Sequence, residues 1–428
     1  MKKTFTFCFV FAALATTVFS EGASLVAVRA DKLAHAPGEE IVFSVFALDS
    51  NKNPVEGNVS WKLEADDKRT AETGSGTATA DSPVLVKTTM DKPGFLRLTA
   101  TMKTAEGKEV KFIGGAAVSP DALQALPEPE DFDAFWAAQK KIVDDADLSK
   151  AVLTDAPENI ASQDRYKNFR VRKLIFPYAE GMAPATAWVV TPKNAAPKSL
   201  KAIKASFDGY GFGGKQPPQW FDWNAINIQI NAHGYDLARE PEYYKEFEEG
   251  TKSNGQGYGM DPAQNSNRDT CYFRGMVLRD LAALRVAMSL PEWSGEILEV
   301  GGGSQGGFQC VAMAALIPET TKCVPNAPWL CDQGGEAELG RLPGWRPKYV
   351  PALRYFDTVN FAKRVTCDVR ITRSGLADYT CPPSGVTILY NNLTKAKSRF
   401  IHYIQGSEHL SNDWGEPNRN DWRQTFSK

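Results

Sequence analysis

The chain is short of histidine, with four residues in 428. It is short of cysteine too: seven residues, no two of which stand in the C-x-x-C spacing of a structural zinc site. It carries no excess charge of either sign, with Lys+Arg 49 against Asp+Glu 51 and a formal net charge of -2. Beyond Ser20 no apolar run reaches the roughly 20 residues needed to cross a bilayer as a helix. Each shortage excludes something. Balanced charge removes the basic footprint of a nucleic-acid or anionic-membrane partner. Scattered cysteines give no metal cluster, and no cofactor is implied. Four histidines leave few choices for a general base. What remains, 43% apolar and 23% charged residues, is the balance of a globular protein with a real core. The length suggests two or three domains.

The N-terminus reads as a targeting signal. Lys2 and Lys3 precede residues 4–18, almost wholly apolar or small, and Ser20 supplies a small-residue cleavage position. Residues 1–20 are therefore expected to be a signal peptide and the protein to be exported, periplasmic or extracellular. Cys8 would be lost with the signal. The other six, Cys271, Cys310, Cys323, Cys331, Cys367 and Cys381, would then lie in a compartment that permits disulfides. One or two bridges at most are expected, Cys323 and Cys331 being nearest in sequence. Cys310 reads as a small buried apolar residue.

Residues 21–118 show short alternating runs at 24–29, 40–46, 57–62 and 95–101, with Pro and Gly turns at 36–40 and 91–95. This is the pattern of a small all-β, immunoglobulin-like sandwich. It reads as a spacer or packing unit, with Trp61 as the sharper option of a carbohydrate contact. Pro120, Pro127 and Pro129 mark a stiff, solvated linker over 119–130. From 131 to 428 strands and helices alternate, which predicts a three-layer α/β domain with a mostly parallel sheet. A long polar stretch at 241–267 is expected as a loop near the site mouth, with Tyr243, Tyr244 and Tyr258 as substrate contacts. A strand is expected to end through residues 327–332.

The chemistry centres on residues 299–308, EVGGGSQGGF, a G-x-S-x-G between an apolar strand and a helix. A serine forced to an unfavourable backbone angle at a sharp turn needs neighbours without a Cβ, and Gly302, Gly303, Gly306 and Gly307 supply them. A second glycine-rich turn, residues 208–214 (DGYGFGG), follows an earlier strand. The main-chain N–H groups of Tyr210 and Gln305 are the candidate oxyanion donors. A serine needs an imidazole to take its proton, and the imidazole needs a carboxylate. Asp378 and His409 each follow an expected strand, in the order Ser, Asp, His of α/β-hydrolases. His409 is the best base, with His233 second; Asp332 is a weaker rival to Asp378. Trp329 is a candidate wall for a small acyl pocket or a buried structural residue.

Residues 129–136 (PEDFDAFW), 301–307 (GGGSQGG), 328–331 (PWLC), 375–384 (GLADYTCPPS) and 408–409 (EH) together resemble the acetyl xylan esterase / cephalosporin C deacetylase family, carbohydrate esterase family seven. The similarity covers about residues 120–428. It implies the α/β-hydrolase fold, removal of acetyl groups from xylo-oligosaccharides and other small acetylated carbohydrates, and the roles just given to Ser304, His409, Asp378, Tyr210 and Gln305. It also implies a possible homo-oligomer. The family's Arg-Gly-Gln is replaced here by Ala232-His233-Gly234. A prolyl-oligopeptidase-like peptidase and an inactive glycan-binding homologue are the alternatives.

Overall fold

The computed structural model describes residues 22–213, 216–409 and 423–427; the expected signal peptide lies outside them. Eight strands come first: β1 (Leu25–Ala30), β2 (Ala34–His35), β3 (Ile41–Leu48), β4 (Gly57–Ala65), β5 (Glu72–Ala78), β6 (Val84–Thr88), β7 (Gly94–Lys103) and β8 (Glu109–Val118). They form two sheets, ordered β1-β3-β6 and β2-β8-β7-β4-β5. Period-two alternation explains the packing. Ile41, Phe43 and Val45 of β3 and Leu96, Leu98 and Ala100 of β7 turn inward to one shared core. The residues between them in β7, Arg97 and Thr99, belong to the opposite face.

The remaining strands are β9 (Val152–Asp155), β10 (Phe169–Phe176), β11 (Ala185–Pro192), β12 (Leu200–Phe207), β13 (Ala225–Asn231), β14 (Trp293–Gly303), β15 (Lys322–Asn326), β16 (Asp368–Gly375), β17 (Ser398–Ile404) and β18 (Arg423–Ser427). They make one sheet in the order β18-β17-β16-β15-β14-β12-β13-β11-β10-β9. From β13 to β17 all pairings are parallel; β9 to β11 and β18 extend the two edges antiparallel. Helix Tyr272–Met288 packs on β10 to β13, helix Gln305–Leu316 on β12, β14 and β15, and helix Pro383–Asn392 on β16 and β17. The expected α/β-hydrolase architecture, preceded by β-sheets, is what the chain adopts. Sites in such sheets lie outside the carboxyl ends of the parallel strands.

Several local expectations change. The stretch 241–267 contains a helix, Pro241–Thr251, and a short turn of helix, Pro262–Asn265, each with Pro at its start. The strand before Trp329 stops at Asn326, because Ala327, Leu330 and Asp332 adopt φ of 42°, 56° and 58°. Left-handed residues cannot continue a strand. The six cysteines beyond Cys8 are free and buried. The Sγ atoms of Cys310 and Cys323 are 3.9 Å apart, a contact between thiols rather than a bridge. The stretch 119–130 is not a solvated spacer: Leu123 is buried, and Asn391 Nδ2 donates to Pro120 O at 2.9 Å.

The sandwich sits directly on the loops that follow β16 and β17. Gly115 in β8 faces Leu376 so closely that a Cβ there would stand 2.6 Å from the Leu376 carbonyl oxygen. Gln405 Nε2 donates to Gly115 O at 3.0 Å. Buried Asp66 accepts from Phe95 N at 2.8 Å and, across the junction, from Leu342 N at 2.7 Å. Gly115→Ala is therefore expected to destabilise the protein by about 1–3 kcal/mol through overpacking. Thermal unfolding of the variant beside wild type measures it.

Candidate active site

Ser304 lies between β14 and helix Gln305–Leu316 with φ 56° and ψ -119°. Such a conformation costs roughly 1–3 kcal/mol and persists only where its surroundings hold it. Here Ser304 N donates to Asn326 O at 2.9 Å, and Ser304 O accepts from Gly307 N and Trp329 N, each at 2.9 Å. The glycines are needed for close approach. A Cβ at Gly302 would stand 2.7 Å from Phe207 O, and one at Gly306 only 2.2 Å from it. The turn after β12 is thereby pressed against the serine turn. A Cβ built on Gly209, next to Tyr210, would lie 3.9 Å from Ser304 Cβ. Tyr210 and Gln305, the expected oxyanion donors, thus flank Ser304 from two different turns.

Asp378 and His409 are brought together by two loops zipped along their backbones. Leu376 N donates to Ile404 O at 3.0 Å and Ala377 N to Ser407 O at 3.2 Å. The result is a contact of 2.9 Å between His409 Nδ1 and Asp378 Oδ2. The carboxylate is 1% exposed, and its other oxygen accepts from Cys381 N at 2.8 Å. Burial pushes the pKa of the Cys381 thiol far up. Among the described residues, donor atoms of Asp378, Cys381 and His409 lie within 4.8 Å of one another. A thiol kept protonated and a carboxylate already hydrogen-bonded twice suit a proton relay better than a metal ligand set. The rival carboxylate, Asp332, is paired with Arg341. The rival base, His233, is buried among aromatic rings.

The acetyl xylan esterase (AXE1) family model matches residues 123–340 and 347–424. The chain belongs to the acetyl xylan esterase family. It is 28% identical over 393 residues to the acetyl esterase Axe7A of Xylanibacter ruminicola, covering 85% of this chain and 80% of that protein. An acetyl xylan esterase from a Paenibacillus species superposes with TM-score 0.55 at 22% identity, covering 68% of this chain and 94% of that one. Acetyl xylan esterase 1 from a Thermoanaerobacterium species gives TM-score 0.55 at 23% identity, covering 69% and 93%. Family membership makes the chain a carboxylic ester hydrolase of the acetyl esterase kind.

Behind the serine turn lies a hydrogen-bonded chain that sequence reading did not anticipate. The Tyr258 hydroxyl accepts from Gly211 N at 2.7 Å and donates to Gln305 Oε1 at 2.7 Å. One oxygen atom therefore ties together the two turns that carry Tyr210 and Gln305. Gln305 in turn reaches Gln309, whose Nε2 donates to Asp280 Oδ2 at 2.8 Å. Burial pushes Asp280 up to about 8. Tyr258 was expected to touch substrate; it is buried, stacked on Tyr210 with ring centroids 4.2 Å apart. Tyr243 and Tyr244 accept from main-chain N–H groups of Asp236 and Arg239 instead. Trp329 is also buried, with its indole N–H on Trp345 O at 2.6 Å. With Pro328, Cys331 and Cys381 it borders a cavity of only about 10 Å³. The half-exposed ring of this stack is Trp345, edge-on to Tyr210 at 4.7 Å.

The family departure at Ala232-His233-Gly234 has a structural counterpart. Arg279 Nε donates to Ala232 O at 2.8 Å. His233 Nε2 meets Gly211 O at 2.9 Å, and Nδ1 meets the Tyr272 hydroxyl at 2.8 Å. A carbonyl accepts only, so Nε2 carries the proton and Nδ1 accepts. Burial lowers His233 to about 3, so it is neutral. The unfolded chain binds a proton at this residue that the folded chain refuses. The stabilisation is complete above the unperturbed value of 6.5 and is lost as pH falls toward 3. His233→Gln is expected to flatten the acid limb of stability across that window, read by urea unfolding at a series of pH values.

Proposed function

We propose that the chain is an exported serine esterase that removes acetyl groups from acetylated xylo-oligosaccharides or related acetylated sugars. The observation that carries this reading is the His409–Asp378 contact of 2.9 Å beside the strained Ser304 turn. With Nδ1–H given to the carboxylate, the Nε2 lone pair is left to take the Ser304 proton. Ser304 attacks the acetyl carbonyl, and the oxyanion is held by the N–H groups of Tyr210 and Gln305. His409 then protonates the sugar oxygen as it leaves. Water, deprotonated by the same imidazole, releases acetate from Ser304. Cys381 stays protonated and so offers no competing thiolate.

We assign the acyl group to the small cavity beside Cys381, whose N–H holds Asp378. The cavity bordered by Trp329 and Cys381, about 10 Å³, has room for about one water-sized or methyl-sized group. The 28% identity to an acetyl esterase over most of the chain supports the acetyl reading, and the apolar stretch at residues 4–18 supports export.

Ser304→Ala is expected to lower kcat on p-nitrophenyl acetate by at least about a thousandfold while leaving the circular dichroism spectrum unchanged. Retained turnover would overturn the assignment. Wild type is expected to cleave p-nitrophenyl butyrate at least about tenfold more slowly than the acetate, because a methylene excluded from a small pocket is worth about 1–3 kcal/mol. Acetylated xylo-oligosaccharides should release acetate, and a Pro-containing peptide should remain intact.

A further inference from the structure

The sandwich supplies a wall of the site. A cavity of about 370 Å³ lies between it and the His409 loop, lined by Arg97, Thr99, Lys111 and Ile113 on one side and Tyr379 and His409 on the other. Five sandwich residues share that wall, Glu64 of β4 being the fifth, and the strand register explains how β7 and β8 contribute. Thr99 of β7 is opposite Ile113 of β8, and Arg97 is opposite Gly115, whose missing side chain lets Leu376 approach. Alternation turns Leu96 and Leu98 into the sandwich core and leaves Arg97 and Thr99 for the face that meets the hydrolase sheet's loops.

His409 delivers its proton to the leaving oxygen, so the leaving alcohol stands on the His409 side of the ester. The cavity that includes His409 is the space on that side, and its volume falls within the range of sites that take a small organic ligand. Its lining suits a polyol. Arg97 and Glu64, 3.3 Å apart, offer fixed donors and acceptors. Thr99 adds a hydroxyl and Lys111 an ammonium. Tyr379, 48% exposed, adds an aromatic ring with the Arg97 guanidinium carbon over it, 5.5 Å from its centroid. Arg97 and Lys111 are offset by Glu64 and Glu408 in the same lining, so an uncharged ligand fits better than an anionic one.

We propose that this cavity is the subsite for the uncharged sugar portion of the acetylated substrate, and that the N-terminal sandwich is thereby a determinant of which alcohol is deacetylated. The inference rests on the esterase reading above.

The test compares the full chain with Lys111→Ala and Thr99→Trp, both at surface positions of the cavity wall. The substrates are ethyl acetate, whose alcohol is too small to reach β7 or β8, and acetylated xylo-oligosaccharides. Each variant is expected to lose about tenfold in kcat/KM on the oligosaccharides through KM, the scale of one or two lost hydrogen bonds. On ethyl acetate each should stay within about twofold of wild type. Unchanged kinetics on both substrates, or a parallel loss on both, would overturn the subsite. If wild type cleaves neither ester, the esterase reading itself falls, a result distinct from variants that simply fail to discriminate.

Discussion

Much of this molecule is arranged around a peptide turn that is unfavourable by itself. At φ 56° and ψ -119°, Ser304 would relax if the chain around it allowed. It is held by its own N–H on Asn326, its carbonyl under the N–H groups of Gly307, Phe308 and Trp329, and the turn after β12 pressed against glycines 302 and 306. The restraints come from β15 and the turn after it, from the turn after β12, and from the helix that follows. The sheet therefore has to be complete before the turn is stable, which couples the global fold to a single dihedral pair.

The same logic explains the polar interior behind the turn. A hydroxyl, two side-chain amides and a carboxyl run from Gly211 through Tyr258, Gln305 and Gln309 to Asp280. Buried polar groups are tolerated when each has a partner, and such networks specify one arrangement where apolar packing would permit several. His233 adds a second hold on Gly211 through the carbonyl. The residue before it, Tyr210, is thus fixed by contacts to both the N–H and the C=O of its neighbour.

The alternation of strands and helices, and the placing of Ser304, Asp378 and His409 just after strands, were legible because they are local patterns. A glycine-flanked serine, a loop after each apolar run and four histidines in all leave little freedom. The hydrogen-bond partners of Tyr258 and His233 were not legible, since they depend on residues about twenty to fifty positions away meeting across the sheet. Trp329 was open to two readings, a pocket wall or a buried structural residue; the partner of its indole N–H, Trp345 O, lies 16 residues on, which periodicity does not reveal. The cysteines misled for a related reason. Export makes bridges plausible, but thiol separation is a property of packing. The helix at Pro241–Thr251 was hidden by its polar composition, with only Tyr244 buried.

Gly115 and Gln405 carry a consequence for how such a protein is taken apart or recombined. The junction combines a close backbone approach at Gly115 with buried side chains that cross it, Phe95 against Tyr403 and Gln405 on the Gly115 carbonyl. The loops it presses against end in Asp378 and His409. A different sandwich grafted onto this hydrolase would have to reproduce both the bare backbone of β8 at Gly115 and the side chains that cross the junction, or the imidazole and carboxylate would sit on an altered bed. In lineages where the two parts travel together, drift in β8 and in the loops after β16 and β17 should be correlated, as it is between two subunits that share one active site.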